Sequence, residues 1–315
     1  MIKSRICEIL GIKYPIFQGG MAWVADAELA AAVSNAGGLG LISAINAGTE
    51  AVRNEIRKCK TLTDKPFGVN IMLQAPNAEE VAKMIVEEGV KIVTTGAGSP
   101  AKYLPMWKEN GIKVVPVIAC VAHAVKMQAA GVDAIVAEGA ESGGHVGELH
   151  TMPLIPQIVD AVDIPVIAAG GICDGRGAAA AFMLGAEGVQ VGTRFLSATE
   201  CNVHPEYKEK LLKATDISTI VTGKSLGHPV RSLKTPFSRN FAKMENDPNV
   251  TPEEILAFGG GALRKAVQEG DANGSYMAGE CAGMVKNIEP ASAIIEDIIL
   301  GAEQVMKERM ARMCR

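Results

Sequence analysis

The sequence predicts a (β/α)8 barrel, an α/β fold, with a mostly helical insertion after its eighth strand. Three observations predict it. Eight short apolar runs rich in Val and Ile recur along the chain, amphipathic helical stretches lie between them, and the runs begin at near-regular intervals, at 16, 39, 67, 92, 113, 134, 166 and 189. Hydrophobicity that is continuous rather than alternating marks strands buried on both faces, as in parallel sheets. Eight strand–helix units joined by right-handed crossovers close a ring.

The elements follow in order. Ile16-Phe17 is the first run, and Asp26–Asn35 (DAELAAAVSN) is the helix after it, ending at Gly37-Gly38. Leu39–Ile42 and Phe67–Asn70 are the second and third runs, and the helix Ala78–Glu88 ends at Gly89. Ile92–Thr95 and Lys113–Val117 come next, followed by the helix Ala122–Ala130 with Gly131 beyond it. Ala134–Glu138 and Val166–Ala169 are the sixth and seventh runs; the helix Arg176–Leu184 ends at Gly185, and Val189–Val191 is the eighth run. A glycine just past each helix supplies the left-handed residue that ends it. From 205 to 275 the rhythm stops, and the stretch holds Pro205, Pro229, Pro236, Pro248, Pro252 and Gly259-Gly260-Gly261. This segment is expected to be a helical lid over the barrel mouth, with 1–204 and 276–315 forming the barrel. Ala291–Met310 reads as one long helix that closes the outer ring.

Composition narrows the function. Aromatics make up 4% of the chain and the net charge is −4, which argues against stacking on bases or neutralising phosphates of a nucleic acid. The cysteines are Cys7, Cys59, Cys120, Cys173, Cys201, Cys281 and Cys314, an odd number with no CxxC spacing. The charged start MIKSRICEILGIKYP lacks the apolar core of a secretory signal, and no stretch is long enough to span a bilayer. The expectation is a reduced, cytoplasmic protein without membrane association.

In such a barrel the active site lies at the carboxyl ends of the strands. Those ends carry Gly19-Gly20-Met21, Ser43, Asn70, Thr95-Gly96, Glu138, Gly170-Gly171 and Gly192-Thr193. The seventh run leads into AAGGICDG and the eighth into QVGT. Glycines in both turns let backbone N–H groups approach a phosphate, and a helix start adds partial positive charge. The side-chain amides of Asn70 and Gln190 offer both donors and an acceptor, which suits the edge of a flavin ring; a turn-forming asparagine is an equally good reading of Asn70. His145, in ESGGHVG after the sixth run, is the candidate proton-handling group, because the glycines beside it leave room for a ligand over the ring. His123, His150, His204 and His228 lack such a setting. HExxH or clustered Cys/His spacing for zinc is absent, no GxSxG marks a hydrolase elbow (GKSLG at 223–227 lies outside the strand–helix rhythm), and GGLGLI at 37–42 precedes a strand and lacks the third glycine of a dinucleotide fingerprint.

The segments PIFQGGMAW, AGGLG, KPFGVNIM, TTGAG, AEGAESGGHVG, IPVIAAGGICDG and GVQVGTRF resemble the nitronate monooxygenase superfamily. Together with HPEYKEKLLKA and SYMAGECAGM they resemble more closely its FMN-dependent enoyl-[acyl-carrier-protein] reductase II branch. The resemblance implies bound FMN, NADH or NADPH as donor, and an enoyl thioester on acyl carrier protein as acceptor. By position it implies Gly20, Met21 and Ala22 along the flavin ring, Asn70 and Glu138 at its polar edge or ribityl chain, Gly170, Gly171, Gly192 and Thr193 at the phosphate, and His145 as the catalytic histidine. One departure is Glu280, where relatives often carry Gln, which puts the hydrogen bonding near Met277 in question. A monovalent cation held by carbonyls and a homodimer are further expectations that no residue pattern encodes.

Two rival readings stand beside this one. The same flavin could oxidise alkyl nitronates with oxygen, and a flavin-free barrel could bind or isomerise a phosphorylated metabolite. The segment from Ile217 to Met244 carries Lys224, Arg231, Lys234, Arg239 and Lys243 and no acidic residue. It reads either as a docking surface for an acidic carrier or as ordinary solvated surface.

Overall fold

The computed structural model describes residues 2–45 and 47–313; Cys314 lies outside the described residues. In chain order the strands are β1 (Ile16–Gln18), β2 (Gly40–Ser43), β3 (Phe67–Met72), β4 (Ile92–Gly96), β5 (Lys113–Ile118), β6 (Ile135–Glu138), β7 (Gly144–His145), β8 (Val166–Ala169), β9 (Gly188–Val191), β10 (Thr219–Thr222) and β11 (Val230–Leu233). Eight of them, in the order β1-β9-β8-β6-β5-β4-β3-β2, form one parallel sheet. A bridge between Phe17 and Leu39 closes it into a barrel. At that seam the Leu39 N–H donates to Ile16 O at 2.8 Å and the Gln18 N–H to Leu39 O at 3.0 Å. The buried Gln18 side chain extends the seam, its Oε1 accepting from the Leu41 N–H at 3.0 Å. All eight predicted runs are barrel strands.

Alternation along the strands sorts side chains between two cores. Val93, Val114, Ile135, Val166 and Val189 face outward onto the helices. Phe17, Leu41, Ile92, Val115, Val136 and Ile167 fill the barrel, and Ile6 and Leu10 of the N-terminal helix Arg5–Leu10 plug its lower end. Nearer the carboxyl ends, part of the inward register becomes polar, as from Ile92 to Thr94 and from Val136 to Glu138. Asn70, Thr94, Glu138 and Gln190 form the top layer.

The helix Ala291–Met313 packs between the helices Gly175–Met183 and Ala27–Asn35 and completes the outer ring. Contact there is close enough that a Cβ at Gly175 would sit 2.4 Å from the Gly301 carbonyl carbon. Among the described residues, no helix is long and apolar enough to cross a membrane.

The segment 205–275 holds the helices Pro205–Leu212, Pro236–Glu245 and Pro252–Gly259. Pro236 and Pro252 open their helices behind Thr235 and Thr251, each of which completes a capping box. Phe237, Phe241, Ile255 and Ala262 make a small core separate from that of the barrel. The hairpin β10–β11 departs from the expected helical segment: its strands are four residues each, half polar, and joined by a long turn rather than a two-residue Asn-Gly type, so the sequence carries no hairpin signal. β11 also pairs with β7, so the segment is stitched to the loop that leaves the carboxyl end of β6.

Candidate active site at the barrel mouth

The turns after β8 and β9 build a glycine cradle. Gly170 and Gly171 both have positive φ, 96° and 73°, a conformation that side chains disfavour. Space excludes a side chain at Gly170 as well, since a Cβ would lie 2.6 Å from Gly139 O. Gly192 precedes the 3-10 turn Thr193–Ser197, which no side chain caps. Among the described residues, no protein acceptor faces the N–H groups of Gly171 and Thr193. Unclaimed donors converging on one rim suit an anion. The expected helix-start contribution differs after β8: the helix Gly175–Met183 is capped by its own Asp174, whose Oδ1 accepts from the N–H groups of Arg176 (2.9 Å) and Gly177 (3.3 Å). Its positive end is therefore already occupied, and the turn after β9 is the free one.

Gly20, Met21, Asn70, Gln190 and Gly192 come together beside this cradle. A Cβ on Gly20 would fall 2.4 Å from the Asn70 side chain, and one on Gly192 would meet only Met21 Sδ, at 3.6 Å, and Cγ, at 3.9 Å. Asn70 is fixed by Thr94, whose Oγ1 donates to Asn70 Oδ1 at 2.8 Å. Asn70 Nδ2 makes only a long contact, 3.4 Å, to Gly20 O. Gln190 is 8% exposed and its amide has no protein partner among the described residues. The amide is not sealed from solvent, so a ligand edge with matching donors and acceptors can take it up in place of water. Ala22 lies in the tight turn formed as Val24 N and Ala25 N donate to Met21 O. The next residue, Trp23, holds a strained φ of 65°.

Glu138 ends β6. Burial of its carboxyl pushes its pKa up to about 7, against a hydrogen bond from Ser142 Oγ at 3.0 Å that favours ionisation. His145 stands apart from the glycine group, on β7, opposite Val230. One side is open to solvent; crowding on the other, and then the neighbouring His228, hold its pKa below the ordinary histidine value. At neutral pH the imidazole is therefore neutral. Met277 links the two halves of the mouth, because a Cβ at Gly144 would lie 3.5 Å from its Sδ.

Several residues that hold this arrangement have no signature in the sequence. Thr193 Oγ1 accepts from Gly279 N–H at 2.9 Å, and Glu141 O accepts from Glu280 N–H at 2.9 Å, which ties the 275–284 segment to the cradle. The Tyr207 hydroxyl donates to Met277 O at 2.7 Å. Arg231, grouped above with surface cations, is instead largely buried and pairs with Glu280 at 2.9 Å. Lys224, Lys234, Arg239 and Lys243 have no ion-pair partner among the described residues, and Lys224, Lys234 and Arg239 are exposed. His228, set aside in the sequence, belongs to the turn beside His145.

Known proteins share this fold. The structure of FabK from Thermotoga maritima superposes with a TM-score of 0.96 at 48% identity, covering 99% of this chain and all of that one. A curated Mycobacterium tuberculosis protein, (3aS,4S,5R,7aS)-5-hydroxy-7a-methyl-1-oxo-octahydro-1H-indene-4-carboxyl-CoA dehydrogenase, is 33% identical over 96% of each chain. A probable nitronate monooxygenase of Staphylococcus saprophyticus is 32% identical over 97% of this chain and 99% of its own. Residues 3–301 match one family profile throughout, and the chain belongs to the nitronate monooxygenase family.

Proposed function

We propose that this chain is an FMN-dependent reductase of trans-2-enoyl thioesters carried by acyl carrier protein, with NADH or NADPH as donor. The observation that carries the flavin is the convergence of unclaimed N–H groups at Gly171 and Thr193 with the unpartnered amide of Gln190. A phosphate fits the first and a ring edge with alternating donors and acceptors fits the second. The reductase branch is favoured over nitronate oxidation by the 48% identity to FabK across nearly the whole chain, against 32% to the probable nitronate monooxygenase. A carboxyl-CoA dehydrogenase among the relatives is consistent with a thioester partner.

FMN, when bound, supplies hydride transfer between nicotinamide and substrate carbon. Gly170, Gly171, Gly192 and Thr193 would hold its phosphate, with Gly20, Met21, Ala22, Asn70, Glu138 and Gln190 along the ring and its side chain. Reduction of the enoyl thioester would add a hydride equivalent at Cβ and a proton from solvent at Cα, and charge would build transiently on the thioester oxygen. His145, neutral at pH 7, donates an N–H hydrogen bond to that oxygen without introducing a formal charge. Met277 and the hairpin β10–β11 exclude water from the same space. The segment 205–275 serves as a lid, with Lys224, Lys234, Arg239 and Lys243 facing an acidic carrier. A cytoplasmic homodimer and a monovalent cation held by carbonyls complete the proposal.

The test starts with colour. The expected result is that the purified protein carries bound FMN and that NADH or NADPH bleaches it rapidly without oxygen. Bleaching by an alkyl nitronate but not by either nicotinamide would establish nitronate oxidation instead. A colourless protein that does not bind added FMN would overturn both flavin readings and leave a barrel for a phosphorylated metabolite.

A further inference from the structure

The mouth is assembled from three chain segments that the barrel does not itself hold in register: the loop 139–147 bearing His145, the hairpin β10–β11, and the segment 275–284 bearing Met277. One side chain touches all three. Arg231 Nη2 donates to Ala140 O at 3.1 Å and pairs with Glu280 Oε1 at 2.9 Å, while Nη1 donates to Thr219 Oγ1 on β10 at 3.3 Å. The backbone of β11 repeats the pattern. Arg231 is in register with Gly144 and Val230 with His145, Val146 N–H donates to Pro229 O at 3.1 Å, and Ser232 bridges to Met277. A guanidinium is the side chain suited to this, because its planar fork presents several donors in fixed directions.

We propose that Arg231 is the positioning residue of the site: through Ala140 and Glu280 it sets His145 and Met277 relative to each other and to the cradle. The carboxylate at 280 makes the second arm of the clamp ionic. This inference rests on His145 being the group that meets the reacting oxygen. Arg231 touches none of the predicted flavin contacts, so its loss moves the imidazole without emptying the cradle.

The test compares flavin-loaded Arg231→Met, Arg231→Lys, Glu280→Ala and Glu280→Gln with His145→Ala, in the full chain, using crotonyl thioester as the probe. Misplacing a reacting group by about 1 Å costs up to about 10²-fold. Arg231→Met is expected to lose about 10- to 100-fold in kcat with FMN content unchanged, and Arg231→Lys to recover part of that loss. Glu280→Gln, which keeps the acceptor, loses less than Glu280→Ala. Arg231→Met combined with Glu280→Ala is no worse than Arg231→Met alone, because both act through one clamp. Hydrogen exchange gives a readout apart from turnover: Arg231→Met speeds exchange in both 140–147 and 276–284 and leaves the barrel strands unchanged. If Arg231→Met lowers only thermal stability, with kcat per flavin intact, or if the two substitutions are additive, the positioning role is refuted. If His145→Ala itself turns over normally, the underlying reading fails, whatever Arg231 does.

Discussion

Gly192→Ala is the sharpest test of the cradle, because nothing inside the protein opposes it. Gly192 has φ −109° and ψ −68°, at the margin of the right-handed region and away from the left-handed one that favours glycine. The added Cβ would meet only Met21, at 3.6 Å from Sδ and 3.9 Å from Cγ, both ordinary contacts. The flavin-free variant should therefore keep its stability within about 0.5 kcal/mol. A bound phosphate experiences the change differently. Its oxygen must approach a backbone N–H to about 2.9 Å, and a methyl beside that N–H holds it off. Losing one charge-assisted hydrogen bond is worth about 1.5–3 kcal/mol, or about 10- to 150-fold in Kd. Flavin titration by fluorescence quenching measures the affinity, and circular dichroism melting of the flavin-free protein measures the fold. Affinity within twofold of the parent would refute the placement of the phosphate. Gly170→Ala is the contrasting case: φ of 96° and a Cβ 2.6 Å from Gly139 O predict a folding defect that would mask any ligand effect.

The same geometry carries three further predictions. His145→Ala should retain FMN and lose about 10²-fold in turnover, the cost of one donor to a developing oxyanion; near-normal turnover removes the imidazole from the mechanism. Glu138 has a folded pKa of about 7 against the ordinary glutamate value of 4.5, so the folded protein holds an extra proton between these values and loses stability as pH rises through that window. The loss is on the order of 3 kcal/mol by pH 7.5, and flavin-free Glu138→Gln should lack this contribution while the opposite one from His145 remains; an unchanged slope would reject the raised pKa. Charge reversal at Lys234 or Arg239 should raise KM for carrier-bound substrate at low salt and leave KM for a free thioester unchanged; equal effects on both would reject carrier docking there.

The barrel was legible because its physics is local. Leu39–Ile42 and Val166–Ala169 are continuous apolar runs, and a strand covered on both faces needs that. Gly170-Gly171 and Gly192 were legible because two glycine turns occur at equivalent places after successive barrel strands. The supports of the site were not legible, because they join residues remote in sequence: Arg231 lies 91 residues from Ala140, and Thr193 lies 86 from Gly279. In the sequence Arg231 is one of five cations in an acid-free stretch, and only the pairing of β11 with β7 turns it inward. Asp174 shows the same limit at short range. DG before a helical run marks a helix start, yet whether the freed N–H groups serve a ligand or the aspartate depends on a rotamer.

The electrostatics of the mouth follow from one cause acting on two groups. Burial disfavours charge, so it raises the acid Glu138 and lowers the base His145, and both move toward neutrality near pH 7. The arginines around the mouth are already paired: Arg194 with Glu289 and Ser197, Arg176 with Asp174, Arg231 with Glu280. Among the described residues, the cradle is thus left with backbone N–H dipoles rather than free cations to hold a phosphate. Dipoles fixed in a folded backbone need no counterion and act over short range. Flavin affinity should accordingly fall by less than about threefold between low and physiological ionic strength, where a lysine-held phosphate at the surface would feel the screening directly. A steep salt dependence would show that a side-chain cation reaches the phosphate and that the dipolar account of the cradle is wrong.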